Sequence, residues 1–175
     1  MESIRTRHLK PIGGALFAFF LALVIAKPLQ LTALAQSSAP VEQGKFILHK
    51  LEQPIGEETY QITRDGDGLS AKIDFKFTDR SSPVPLTAAF TSANDWTPRS
   101  FEIKGKNSRE TDIDEAVEVQ SEKVRLRDRD KWTEAARPAQ FFTIAGYAPT
   151  TMQMLLVRYW ATHGSPAQLS TLPRG

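Results

Sequence analysis

Between Leu69 and Thr78 the chain alternates without a fault, with Leu69, Ala71, Ile73, Phe75 and Phe77 set against Ser70, Lys72, Asp74, Lys76 and Thr78. Side chains of an extended strand point to opposite faces in turn, so this period makes one face apolar and the other charged. Such a strand belongs in an antiparallel sheet with one face packed and one in water. Just before it, Asp65-Gly66-Asp67-Gly68 is a hairpin turn, because glycine supplies the positive φ that tight hairpins require. The alternation therefore has a partner strand upstream.

That partner is Ile55–Arg64, in which Gly56, Glu58, Tyr60 and Ile62 share a face. An earlier strand over Lys45–Glu52 sets Phe46 and Leu48 against Ile47 and Leu51, and Pro54 breaks it. Downstream, Asp79–Pro85 is a turn-rich link, Leu86, Ala88 and Phe90 resume the pattern, and Asn94–Pro98 turns the chain. Phe101 and Ile103 mark another strand, and Ile113, Val117, Val119, Val124 and Leu126 mark two or three short ones. About seven strands, each followed by a turn, predict an up-and-down sheet.

The period changes after the short apolar run Phe141–Ile144. Met152, Leu155, Leu156 and Tyr159 recur at helical spacing, Pro149 suits a first turn, and Gly164 followed by Pro166 is a stop signal. These residues predict a helix from about Pro149 to His163, packed on the buried face of the sheet. The expected fold is mainly β with one C-terminal helix, as a curved antiparallel sheet or half-barrel packed on the helix at about 149–163. Ser165–Gly175 has room for one more strand and ends without a closing element, so the domain at 44–175 is expected to be incomplete at its C-terminus.

Residues 1–35 read as a cleavable signal peptide. Arg5, Arg7 and Lys10 precede an apolar run from Ile12 to Ala26, and Ala33-Leu34-Ala35 before Gln36 has the small-x-small form of a cleavage site. The apolar run stops at Lys27-Pro28, short of the roughly 20 residues that span a bilayer. Cleavage between Ala35 and Gln36 is expected, with a polar linker over 36–43 and a product exported to the periplasm or medium. Contact with the membrane is expected only through the signal peptide before cleavage. The chain has no cysteine, which excludes both a lipid-modified N-terminal cysteine and disulfide staples.

Charge follows the same division. The whole chain carries 22 basic and 20 acidic residues, but the leader holds four of the former (Arg5, Arg7, Lys10, Lys27) and one of the latter (Glu2). The mature part is close to neutral and lacks the concentrated basic surface that displaces counterions from phosphate, so no nucleic-acid partner is expected.

No catalytic constellation is present, so catalytic, cofactor and metal residues are all expected to be none. His8 leaves with the leader, and His49 and His163 have no second histidine at ligand spacing. Asp65-x-Asp67 has Leu69 where a calcium loop needs a third ligand. Glu57 and Glu58 are adjacent on a strand and face opposite ways; Glu58, beside Tyr60, calls for a cross-strand Arg or Lys if buried. Asp112, Asp114, Glu115, Glu118 and Glu122 are followed by Lys123, Arg125, Arg127, Arg129 and Lys131, which suits cross-strand ion pairs on a wet face. No Gly-x-Ser-x-Gly elbow, phosphate loop or redox cysteine pair is found.

Four stretches carry a resemblance: Gly44–Tyr60 (GKFILHKLEQPIGEETY), Phe101–Lys106 (FEIKGK), Phe141–Tyr147 (FFTIAGY) and Met152–Trp160 (MQMLLVRYW). Together they resemble the β domain that precedes the catalytic barrel in certain exported bacterial metal-dependent amidohydrolases. In that family the metal site lies downstream, in a barrel with His-x-His and further His and Asp ligands, which is absent from this chain. The resemblance implies a non-catalytic N-terminal accessory domain, or a truncated remnant, whose partner is a downstream catalytic domain acting on C–N bonds. More loosely, strands closed by a helix resemble the half-barrel of periplasmic lipoprotein carriers. The alternative expectation is an independent periplasmic module holding an apolar or lipid-like small molecule in a curved sheet.

Overall fold

The computed structural model describes residues 39–173; the expected cleavage residues Ala33, Ala35 and Gln36 lie outside them. Eight strands follow one another in an antiparallel meander: β1 (Glu42–Lys50), β2 (Gln53–Asp65), β3 (Gly68–Asp79), β4 (Ser82–Ala93), β5 (Pro98–Lys106), β6 (Asp112–Val119), β7 (Lys123–Asp128) and β8 (Lys131–Ala136). β1 and β8 are the two edges, so the sheet is not closed into a barrel. A short strand β9 (Phe141–Ile144), the helix α1 (Thr150–Thr162) and a last strand β10 (Ser170–Pro173) follow, with β10 pairing parallel to β9. The fold is mainly β with a C-terminal helix, as the periodicity predicts. Among the described residues no helix is long and apolar enough to cross a membrane.

The alternation becomes a continuous apolar row. Ile62, Ala71, Phe90, Phe101, Val117 and Leu126 stand opposite one another across β2 to β7. All but the half-buried Leu126 are at most 1% exposed. β9 and α1 cover this face. Phe142 of β9 lies 5.4 Å, ring centre to ring centre, from Phe90 and 5.6 Å from Tyr159 of α1. Met152, Leu155 and Tyr159 are buried, whereas Leu156, expected on the same stripe, is half-buried at its margin. Burying a side chain of this size stabilises by about 1.5–3 kcal/mol, so α1 is held chiefly by its apolar stripe. It ends at His163 and Gly164, the latter at φ 79°, and the Ser165 N–H closes onto the Trp160 carbonyl at 3.0 Å.

The meander has more strand than its sequence advertises: β8 has no apolar alternation to announce it, and the extensions of β2 and β4 contain proline. β2 starts at Gln53 and takes in Pro54; β4 starts at Ser82 and takes in Pro83 and Pro85, where a turn-rich link was expected. β4 pairs with β5 only from Leu86 onward, and β2 with β3 only from Gly56, so each proline lies where its strand is locally an edge. A missing N–H costs nothing there. Both hairpins turn through two residues at positive φ, Leu51-Glu52 at 49° and 66° and Arg80-Ser81 at 51° and 67°. None of these is the Asn or Gly that normally announces such a turn. β1 likewise begins three residues earlier than expected, at Glu42, inside the stretch read as linker.

Candidate functional site

The best-defined polar chemistry gathers where α1 meets the buried face of the sheet. Glu58 sits on β2 between Phe46 of β1 and Phe75 of β3, and is fully buried. Its two oxygens accept the Thr150 and Thr151 backbone N–H groups, each at 2.6 Å. α1 has no side-chain cap of its own, since Pro149 occupies the cap position. Glu58 therefore does from another element what a capping Ser or Asp does locally, and places its negative charge at the positive end of the helix dipole. The expected cross-strand Arg or Lys is not its partner. The positive pole is a helix terminus 92 residues away in sequence, which strand patterning cannot reveal.

Two further contacts hold the helix along its length. Arg158 forks onto Glu42 of β1 at 2.8 and 2.9 Å, and the Tyr60 hydroxyl donates to the same carboxylate at 2.9 Å. The Arg158 guanidinium also lies 5.3 Å from the centre of the Trp96 ring. The hydrogen bonds from Arg158 and then Tyr60 hold the Glu42 carboxyl below its ordinary range, outweighing partial burial. Burial first, and the hydrogen bond to Glu42 second, push the Tyr60 phenol up. At the helix end, His163 stacks on Tyr159 with ring centres 3.9 Å apart. Its Nδ1 lies 2.8 Å from the Tyr159 carbonyl and its Nε2 lies 3.1 Å from the Thr97 hydroxyl. The Thr162 hydroxyl donates to the Asp95 carbonyl at 3.1 Å, joining the helix end to the β4–β5 turn.

The outer face carries the charges. Glu57 and Glu58 face opposite ways as expected, and Glu57 pairs with Lys45 at 2.5 Å. On β5 to β8, Arg127 bridges Glu102 and Asp114 at 2.6 Å each, Arg125 meets Glu118 at 2.6 Å, and Lys123 meets Glu134 at 2.8 Å. Arg125 also lies 4.4 Å over the Trp132 ring. Of the acidic and basic runs, Asp114, Glu118, Lys123, Arg125 and Arg127 form the cross-strand ladder they predict, whereas Glu115 faces inward opposite Ile103 and is buried. Asp67 gives both carboxylate oxygens to Arg99, at 2.6 and 2.9 Å, at the turn where the calcium-like spacing occurs. His49 is exposed, with Nδ1 3.2 Å from the Ile47 carbonyl.

Sequence reasoning singled out Glu58 and His163 but missed Glu42 and Arg158. A lone arginine within an otherwise uncharged helix was the available signal, because such a residue needs an anion or water beside it. Chemically, these groups are occupied with one another. The buried carboxylate is saturated by backbone N–H groups, and the imidazole is set against a carbonyl and a threonine hydroxyl. Among the described residues no group of three or more His, Cys, Asp or Glu side chains is arranged to hold a metal ion. A hollow of about 520 Å³ lies on the solvent face between Thr59, Asp74, Lys76, Thr87 and Lys104. Compared with protein-family models, with curated proteins and with solved structures, the chain matches none.

Proposed function

We propose that this chain is a non-catalytic β domain acting as the N-terminal accessory module of an exported amidohydrolase-like protein. One observation carries the reading: the apolar face of the sheet, where a binding module would receive a ligand, is filled by the domain's own helix. Ile62, Ile73, Phe90, Met152 and Leu155 are each at most 2% exposed there. An acyl chain could enter only by displacing Met152 and Leu155 and by leaving the Glu58 carboxylate buried without its two N–H donors, which is costly. The four stretches that resemble the amidohydrolase β domain lie on β1–β2, β5, β9 and α1, which build this closed face. In this reading the domain supplies a rigid platform for folding, docking or substrate presentation, and bond cleavage belongs to a downstream barrel.

The test has two arms. A fluorescent fatty acid titrated into the purified protein is expected to give no saturable one-to-one binding. The in-frame DNA beyond codon 175 is expected to encode a barrel with His-x-His. Stoichiometric, saturable acyl binding would overturn the accessory reading in favour of the periplasmic binding module.

A further inference from the structure

The C-terminal end of α1 is fastened to the β4–β5 turn through a side chain that titrates near neutrality. His163 is the C-cap residue, its side chain is only 22% exposed, and its ring stacks on Tyr159. Nδ1 lies 2.8 Å from the Tyr159 carbonyl, which can only accept, so Nδ1 carries the hydrogen and the neutral ring presents a bare Nε2 to the turn. Opposite Nε2 stand the Thr97 hydroxyl at 3.1 Å and one Asp95 carboxylate oxygen at 3.5 Å. The other Asp95 oxygen accepts the Thr97 backbone N–H at 3.0 Å, and the Thr97 side chain bonds to the same carboxylate.

Counting hydrogens exposes a shortage. The Thr97 hydroxyl has a single hydrogen and faces two acceptors, the Nε2 lone pair and the Asp95 carboxylate, so with a neutral ring one of them goes without. A proton on Nε2 removes the conflict. Nε2–H then donates to the Thr97 oxygen, the Thr97 hydrogen goes to Asp95, and the chain from the Tyr159 carbonyl through His163 and Thr97 to Asp95 is complete. Charge acts in the same sense: the imidazolium faces Asp95 and sits at the negative pole of α1, whose last turn holds no basic residue.

The other charged and titratable groups nearby are engaged elsewhere. Burial pushes the Tyr159 phenol up, so the ring beneath His163 stays neutral. Arg99 acts on Asp95 from the start of β5 but forks onto Asp67, Arg137 acts on Tyr159 from the link after β8, and Arg158 is turned to Glu42. We propose that His163 is a proton-operated latch: a proton taken up at Nε2 locks the end of α1 onto the β4–β5 turn through Thr97 and Asp95, and its loss loosens that end. The unfolded chain offers the proton no such partners, so protonation of His163 and folding favour each other. The stability added is present below the ordinary imidazole value of about 6.5 and is lost as pH rises past it, the opposite sense to the carboxylates at lower pH.

The experiment unfolds the full chain, purified as the cell delivers it, in urea at about pH 8 and about pH 5.5, which straddle the imidazole value and stay above the carboxylate range. The wild type is expected to have an unfolding constant at least about threefold smaller at the lower pH. His163→Gln does not titrate and should abolish the difference. Asp95→Asn should lose most of it, and His49→Gln, which changes the exposed histidine of β1, should keep it. Should His163→Gln fail to fold, nuclear magnetic resonance of the wild type supplies an independent readout: the Asp95 and Thr97 amide signals should shift with the same midpoint as the His163 ring. A wild type no more stable at the lower pH, a His163→Gln that keeps the difference, a His49→Gln that abolishes it, or Asp95 and Thr97 signals that ignore the titration of the ring would each overturn the latch.

Discussion

The half of the sheet under α1 and the half ending at β8 are built from the same meander but held by different forces. On β2 to β5 the inward row Ile62, Ala71, Phe90 and Phe101 is sealed beneath β9 and α1, and the polar groups that accompany it are locked to the helix. On β8 the inward side chains Thr133 and Ala135 are exposed, although β7 beside it still buries Val124, and Arg125, Arg127, Glu118, Glu134 and Trp132 hold the strands together from outside. Burial removes apolar area from water, whereas exposed ion pairs contribute little and weaken in salt. Stability therefore falls from the helix side toward β8.

Changing Leu155 to Asp attacks the sealed half most strongly. It puts an unpaired charge at a position that is 0% exposed, and the domain should unfold. Circular dichroism checks this, and a cooperative native transition in the variant would mean the helix face is not packed as described. Next in size is Glu58→Gln. The amide keeps an acceptor oxygen but loses one charge-assisted bond and the helix-dipole interaction, at a cost of about 2–3 kcal/mol in denaturant unfolding. A loss below about 0.5 kcal/mol would show that the carboxylate does not anchor the helix.

Acid should weaken the contact between β1 and the helix. The Glu42 pKa is lowered in the folded state, chiefly by the Arg158 hydrogen bond, so its contribution is present above the ordinary carboxylate value of 4.5 and is lost as pH falls through the depressed folded value. Asp95, lowered first by the Thr97 backbone N–H, acts in the same direction. Stability should fall with pH in that window, and the slope should be shallower in Arg158→Met, where the Glu42 shift is largely removed. An unchanged slope would place the acid sensitivity elsewhere. The smallest effect belongs to the outer ladder: Arg125→Ala should cost about 1 kcal/mol or less, and the difference from wild type should shrink in high salt. A salt-independent loss of several kcal/mol would break the contrast between the two halves.

The same contrast decides what could be read in advance. Leu69–Thr78 was legible because one face is buried and the other wet, and the helix was legible because its stripe and its Gly164 stop coincide. The cross-strand ladder on β6 and β7 was legible because opposite charges lie in neighbouring runs. Pro54, Pro83 and Pro85 hid strand residues because local edge character is a property of the neighbouring strand, not of the residue. Leu51-Glu52 and Arg80-Ser81 hid their turns because hairpin closure overrides the local preference against positive φ. The partners of Glu58 and Arg158 were hidden by separations of 92 and 116 residues, across which no periodicity runs.

Amide hydrogen exchange tests most directly whether α1 is an integral filling of the sheet rather than a detachable cover. Because the Leu155 stripe and the Glu58 cap bind it to the same core as β3 to β5, the amides of Met154 to Tyr159 should exchange only through global unfolding. They should give the same free energy as those of Ile73 and Phe90, while Trp132 and Glu134 on the exposed edge strand exchange far faster. If the α1 amides exchange through an opening several kcal/mol below the global value while β3 to β5 stay protected, the helix is a lid, and the closed-platform account is wrong.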